Sequence, residues 1–523
     1  MIRTLIAALV LCASASSLPL LAADLAIALA TDVTTLDPHF QNVGPSVNTS
    51  LHLFDALINN DREKGRLKPG LAESWKAIDD LTWEFKLRHG VKFHDGSDFT
   101  AEDVVYSFDR PATLVNSPAS FALYTKAITE KIIVDKYTVR FKTAVPYATM
   151  PIDVSSIYIV CKKTSTGKST DDFNSGKAIN GTGPYKFKSW QRGDRIELVR
   201  NEQFWGAKSP WEKVTFRMIN TPAARVAALL SGEVQAIEGV PPADYARLKT
   251  SKDVNIFSTV SNRLVFLQTD VARDQTPYVT AKDGKPLAKN PLKDVRVRRA
   301  MSMAINRPAI VARVMEGNAL AAGQLVPEGS YAFVTGLKVQ KYDLDGAKKL
   351  LAEAGYPAGF NLTMHGPSGR YVNDEVILQT VAQMFSHIGI ATKIETYPVA
   401  VYFPRLAKLD SSVVMFGWGG GTGHVSSYLK SLLVTTNPDK GTGSNNHGRY
   451  SNPQVDALTA QAYMTLDPVK QEKLWQQATE IAINDVGLIP LHHQMNVWAT
   501  RKGVNYFPRT DERTLAWEFS PAK

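Results

Sequence analysis

Cysteine is nearly missing from this chain: among 523 residues only Cys12 and Cys161 occur. Cys12 lies in a leader-like stretch, so Cys161 would stand alone in the mature protein and no intramolecular disulfide could form. At the end of the apolar run Ile157–Val160, Cys161 reads as a small buried hydrophobe. Long apolar runs are also missing; Leu5–Leu11 is too short to span a bilayer, and no later segment approaches the roughly 18 unbroken apolar residues a span needs. Dense Lys/Arg runs interleaved with aromatics are absent, which excludes a nucleic-acid footprint. There is no GxSxG elbow, no Walker loop and no GxGxxG after a strand, and Gly417–Gly421 lacks the GK[ST] ending that cradles phosphate. The ten histidines form no HxxxH or HxH pair, and adjacent His492 and His493 point to opposite faces of a strand. No catalytic residue, intrinsic metal or cofactor is therefore expected. The Asp and Glu of 101–109 read as a solvated helix face, not an acid/base pair.

What is present suits a large soluble protein. The chain is 44% hydrophobic and 21% charged, long enough for roughly three domains or two large lobes. Residues 1–23 read as a signal peptide: Arg3 is its positive start, Leu5–Leu11 its apolar run, and Ala22-Ala23 its small cleavage residues. Ala13-Ser14-Ala15 also fits a cut site, and Leu11 is too bulky for a lipoprotein signal at Cys12. Losing Arg3 lowers the formal net charge from +10 to +9. The charges are scattered, so solubility, with mild steering of anions, is their meaning.

Periodicity outlines the organisation. Leu25, Ile27 and Leu29 alternate as an opening strand, and Ser46–Ile58 reads as a helix through Val47, Leu51, Phe54 and Leu57. Short strands and turns fill about 61–178. Thr221-Pro222 starts a helix whose inward stripe is Val226, Leu229 and Leu230, stopped by Gly232 before a strand at Val234–Ile237. Asn262–Thr269 is the candidate first crossing between lobes. Helices follow through Val297–Ile305, from Asp343, from Asn373, and from Asp467 with Leu474, Ala478, Ile481 and Ala482 inward. A second crossing is expected near Leu488–Thr500.

The densest signal is Gly70–Arg110. Trp83, Phe85 and Leu87 alternate with Glu84, Lys86 and Arg88 as a strand; Asp95-Gly96 turns the chain, and Thr100 caps a helix whose first turn holds Glu102 and Asp103. This passage resembles the signature of the peptide/nickel family (family 5) of bacterial extracellular solute-binding proteins, which feed ABC importers. The resemblance extends through TTLDPH (Thr34–His39), VRVRRAMSMAINRPAIV (Val295–Val311), KKLLAEAGYPAGF (Lys348–Phe360) and RYSNPQVDAL (Arg449–Leu458).

The resemblance implies an α/β, two-lobed periplasmic-binding-protein fold with mixed sheets, two inter-lobe crossings and a subdomain inserted in the first lobe. Lobe I would span 24–263, with its insert at about 61–178, lobe II 264–490, and residues 491–523 would return to lobe I. It implies a periplasmic, monomeric receptor that captures peptides or peptide-like solutes between closing lobes and passes them to an inner-membrane permease. Arg370, on the loop Gly366–Asn373, matches the arginine that holds a peptide carboxylate in dipeptide binders. Trp418, Gly419, Gly420, Gly421 and His424 occupy the stretch that there supplies an aspartate for the amino group, with glycine at the aspartate position. Gly44 and Asn48 match a loop along the ligand; Tyr402 and Arg405 complete the set. Gly421 and His424 leave open a non-peptide solute: an opine, a glycoside, a bile-acid-like molecule or a metal chelate. A hydrolase or chaperone on the same lobes is the alternative of another class.

Overall fold

Residues 23–60, 67–118, 120–419 and 421–522 are described by a computed structural model. The expected leader therefore lies, but for Ala23, outside the described residues, as do Cys12 and Gly420. Strand β1 (Ala23–Leu29) pairs in parallel with Trp211–Met218 on one side and with β2 (Ala236–Glu238) on the other. Where the strand is flanked on both edges, at Ile27 and Ala28, and covered on both faces, it has to be apolar, whereas Asp24 near its start is exposed. Leu25, Ile27 and Leu29 accordingly enter one core cluster and Ala28 another.

Two long strands connect the halves of the molecule. β3 (Val254–Thr269) runs antiparallel to β6 (Ile489–Arg501), from Val254 opposite Arg501 to Leu267 opposite Ile489. At one end β6 pairs with β2, and at the other β3 pairs with β5 (Val413–Trp418), which itself lies beside β4 (Asn361–Ser368). Together they tie twelve strands of the described residues into one mixed sheet. The first crossing thus begins at Val254, earlier than the apolar run at Leu264 suggests, because its first half is half-buried along its length and interrupted by Asn255, Ser258 and Thr259. Register slips between Val260 and Leu264, and again between Val265 and Phe266. Such bulges locally bend and twist a strand pair at the point where the halves meet.

Strand periodicity then splits the second half into layers. Val265, Leu267, Val413 and Met415 face a core built with α4 (Asp374–Ser386), whereas Leu264, Phe266, Val414 and Phe416 face one built with α5 (Val399–Ala407) and α6 (Pro468–Asn484). Each fully buried Leu, Val or Phe here stabilises by roughly 1.5–3 kcal/mol. Between β1 and Tyr185 the chain adds a separate four-stranded antiparallel sheet, yet its Phe85 and Phe141 join the cluster that holds Leu25.

Several expectations need correction. The first helix, α1, is Gly44–Leu53, not Ser46–Ile58: Phe54 is extended, Gly183 N donates to Leu53 O at 3.1 Å, and Ile58 begins a short strand. In α3 (Pro222–Ser231), Leu230 is exposed, since the inward face runs Arg225, Val226, Leu229; Arg225 is buried among the carbonyls of Ile219, Glu238 and Gly239. In α6 the missed anchor is Trp475, fully buried, while Leu474 and Ile481 are half-buried. Glu84 is buried beside Arg140 on the paired strand (2.8 Å). Asp103 is not solvated either: in α2 (Ala101–Asp109) its carboxylate takes the amides of Thr100 and Lys162.

Candidate functional site

β4 and β5 are parallel, so their carboxyl ends open at the same edge, where open α/β sheets present ligand sites. After β4 the loop at Gly369–Tyr371 is shaped by Asp374, whose carboxylate accepts the amides of Gly369 (3.3 Å), Arg370 (2.7 Å) and Tyr371 (3.0 Å). The Tyr371 hydroxyl ties this loop to β5, accepting from Gly417 N at 2.8 Å and donating to Gly417 O at 3.3 Å. A Cβ on residue 417 would lie 2.6 Å from the Tyr371 ring, which is why glycine stands there.

That scaffold leaves Arg370 exposed, its guanidinium 5.3 Å from the Tyr371 ring and without a hydrogen bond or ion pair among the described residues. Desolvation by the surrounding protein, and then the nearby Arg263 cation, lower its pKa from the ordinary arginine value. It remains charged at physiological pH.

Facing it are the hinge strand β3 and the chain beyond β6. Arg263 grips Glu512 through Nε (2.8 Å) and Nη2 (2.6 Å), and Ser261 Oγ donates to the same carboxylate at 2.8 Å. Burial pushes Glu512 up, but Arg263 and Ser261 outweigh it, so the carboxyl sits below the ordinary glutamate value. Asn262 N donates to Thr510 O at 2.9 Å, fixing this segment against the hinge. The glycine loop closes over it: a Cβ on Gly419 would approach the Arg263 guanidinium carbon to 3.1 Å, and one on Gly421 would approach Arg513 Nη2 to 3.3 Å. Arg513 Nη1 reaches toward the Tyr158 hydroxyl at 3.5 Å. At another point the halves touch through Ala148 N, which donates to Tyr463 O (2.7 Å), and through the parallel rings of Tyr147 and Tyr463.

The structure thus gathers Arg370, Gly419 and Gly421, and places the other expected residues differently. Trp418 is half-buried, its indole donating to Ser427 Oγ and stacked along Phe416. His424 caps the short helix Val425–Tyr428, its Nδ1 accepting from Ser426 N, with its ring between Tyr331 and Trp475; burial lowers its pKa to about 3. Tyr402 is fully buried and donates to Met415 O at 2.7 Å. Arg405 is bound to Asp410, Tyr278 and His365. Gly44 opens α1 with free space around it, whereas Asn48 is buried; α1 meets the C-terminal segment through His52 Nε2, which accepts from Ala516 N. Gly420 lies outside the described residues.

Arg263, Tyr371, Glu512 and Arg513 are the residues that sequence reasoning missed. One cue existed for Arg263: a lone charge directly before the apolar run of the crossing strand. Among the described residues, no three His, Cys, Asp or Glu side chains converge as a metal centre needs.

Residues 66–440 match the description of bacterial extracellular solute-binding proteins, family 5 middle. The glutathione-binding protein GsiB of Shigella boydii serotype 4 (strain Sb227) is 30% identical over 497 residues, covering 93% of this chain and 92% of that protein. Two solved structures share the fold. DppA from Helicobacter pylori, in complex with the peptide STSA, superimposes with a TM-score of 0.78 at 24% identity, covering 96% of this chain and 98% of that one. HbpA2 from Haemophilus parasuis gives 0.80 at 24% identity, with 96% and 100% covered.

Proposed function

The chain belongs to the bacterial extracellular solute-binding proteins of family 5, and from that premise we propose that it is the substrate-binding component of an ABC importer for peptides or peptide-like solutes. The observation that carries the ligand class is Arg370, a guanidinium with all its donors spare at the carboxyl ends of β4 and β5. A guanidinium fork takes a carboxylate through two parallel hydrogen bonds, and every peptide ends in one. The relatives named for glutathione and the neighbour solved with a peptide support the same class.

In this reading the halves on either side of the β3–β6 pair are lobes, with boundaries near 263 and 490, that close on the solute. A ligand touching both lobes favours the closed arrangement by the difference between its affinities for the closed and the open one, and by no more than that. The solute leaves unaltered, so the protein is a receptor and not an enzyme. It works as a monomer in the periplasm, exported by the leader that ends near Ala23, and hands its cargo to an inner-membrane permease.

Calorimetry with peptides of two to five residues, paired with small-angle scattering, tests this. Saturable binding, a smaller radius of gyration and chemically intact ligand are expected. Unchanged scattering with a tightly bound peptide, or release of a cleaved one, would overturn it.

A further inference from the structure

The charges around the glycine loop are spent unevenly. Glu512 is filled by Arg263 and Ser261. Asp511 is filled by Arg509, through Nε at 2.9 Å and Nη2 at 2.5 Å, and by the backbone amide of Arg513 at 3.2 Å. Both carboxylates beside the loop therefore have their cation already. The guanidinium of Arg513 adds only a looser ion pair to Asp511, its Nε at 3.7 Å and beyond hydrogen-bond reach, and its one hydrogen bond is the 3.5 Å contact to Tyr158. A guanidinium has five N–H donors, so most of those on Arg513 remain unused, and its side chain is 20% exposed directly against exposed Gly421. Arg370 is the second cation with spare donors around this loop.

Resting on the reading of this cleft as a receptor for peptide-like solutes, we propose that it selects solutes carrying a carboxylate at each end, one held by Arg370 and the other by Arg513 across Gly421. A free ammonium beside Gly421 would meet a cation and no unspent carboxylate, so ordinary peptides with a charged amino terminus there are discriminated against. Glycine at 421 is part of the device. A carboxylate at this position would fall beside Arg513 and neutralise it, converting an anion site into one that accepts an amine.

The test is calorimetry on the full chain with three probes of similar length: glutaryl-glycyl-glycine, which has two carboxylates and no ammonium; glutathione, with two carboxylates and one ammonium; and tetraglycine, with one of each. The two dicarboxylates are expected to bind at least about 10-fold tighter than tetraglycine. Arg513→Gln should erase that preference, weakening both dicarboxylates and, with the like charge gone, tightening tetraglycine, while the melting temperature stays unchanged. Gly421→Asp, whose backbone lies outside the left-handed region and whose Cβ meets only Arg513, should reverse the preference and serves as a second, independent variant. Equal or tighter binding of tetraglycine to the parent protein, or an equal loss for all probes in Arg513→Gln, would overturn this proposal alone. Absence of saturable binding for all three would overturn the peptide-type reading with it.

Discussion

Arg370 and Arg405 occupy comparable regions, a loop and a helix that follow adjacent parallel strands of the second half, Asn361–Ser368 and Ala391–Pro398. Their donors are used in opposite ways. Arg405 gives Nε to Asp410 O (2.9 Å) and Nη2 to Tyr278 Oη (2.6 Å), pairs with the Asp410 carboxylate (3.0 Å), and lies 5.1 Å from the Tyr397 ring. Arg370 has its loop amide anchored by Asp374 and its guanidinium left over. Position on a loop or helix after a strand therefore does not identify a ligand arginine; an anchored backbone combined with unspent donors does.

The comparison is broken or sharpened most strongly by Arg370→Ala. Two charge-assisted hydrogen bonds to a ligand carboxylate, worth about 1.5–3 kcal/mol each before solvent screening, would be lost, so affinity for a peptide-type ligand should fall by about 100-fold. Because Arg370 holds nothing else in place, the melting temperature should stay within about 2 °C of the parent value. Calorimetry and a thermal melt check both. A large drop in melting temperature would mean that Arg370 belongs with Arg405 as a structural group.

Gly417→Ala addresses how the Arg370 region is held. The added Cβ would strike the buried Tyr371 ring, and overpacking of this kind costs about 2 kcal/mol. Tyr371 must shift, and its neighbour Arg370 with it, so unfolding free energy and affinity should fall together. Denaturant titration beside calorimetry reads the coupling; loss of stability with full affinity would show that the loop does not depend on Tyr371.

Acid reads the Arg405 region instead. His365, wholly buried between Tyr278 and Tyr397, has its pKa lowered to about 4, first by burial and then by Arg405, against the opposing pull of Glu395 and Asp410. The unfolded chain binds this proton near pH 6.5 and the folded one near pH 4. Its contribution is therefore complete above pH 6.5 and is lost as pH falls toward 4. One such proton changes stability by at most about 1.4 kcal/mol per pH unit, and His365→Gln should remove that much of the slope in urea midpoints between pH 5 and 6. Equal slopes in the two proteins would place the titrating groups elsewhere. Arg370 does not titrate in this window.

How far the fold was legible follows from the same logic of local against distant partners. Alternation in Leu25–Leu29 and the helical spacing of Val297–Ala304 are one-dimensional signals, and they mark elements of the structure. The end of α1 was not legible, because the groups that close it, Gly181 and Gly183, lie far along the chain. Within the site, Arg370 was marked by the family resemblance of its glycine- and proline-broken loop and by no periodicity of its own. The Arg263–Glu512 pair joins residues 249 positions apart and left no local trace. Nothing local in the sequence marks Trp475 and Met415 as the partners that bury or bind His424 and Tyr402.

The smallest expected effect is also the most discriminating. In Arg405→Gln the guanidinium leaves Asp410, Tyr278 and His365, and the helix that carries it loses its tie to the sheet edge. Asp410 is 46% exposed at the side chain, so water replaces much of the lost pairing and the cost should be about 1 kcal/mol of stability. Affinity for a peptide-type ligand should remain within about twofold of the parent, because every donor of Arg405 that the structure engages serves the fold. A tenfold loss of affinity at unchanged stability would mean that those contacts rearrange when a ligand binds. Unspent donors would then no longer suffice to tell a ligand arginine from a structural one, and Arg370 would lose its special standing.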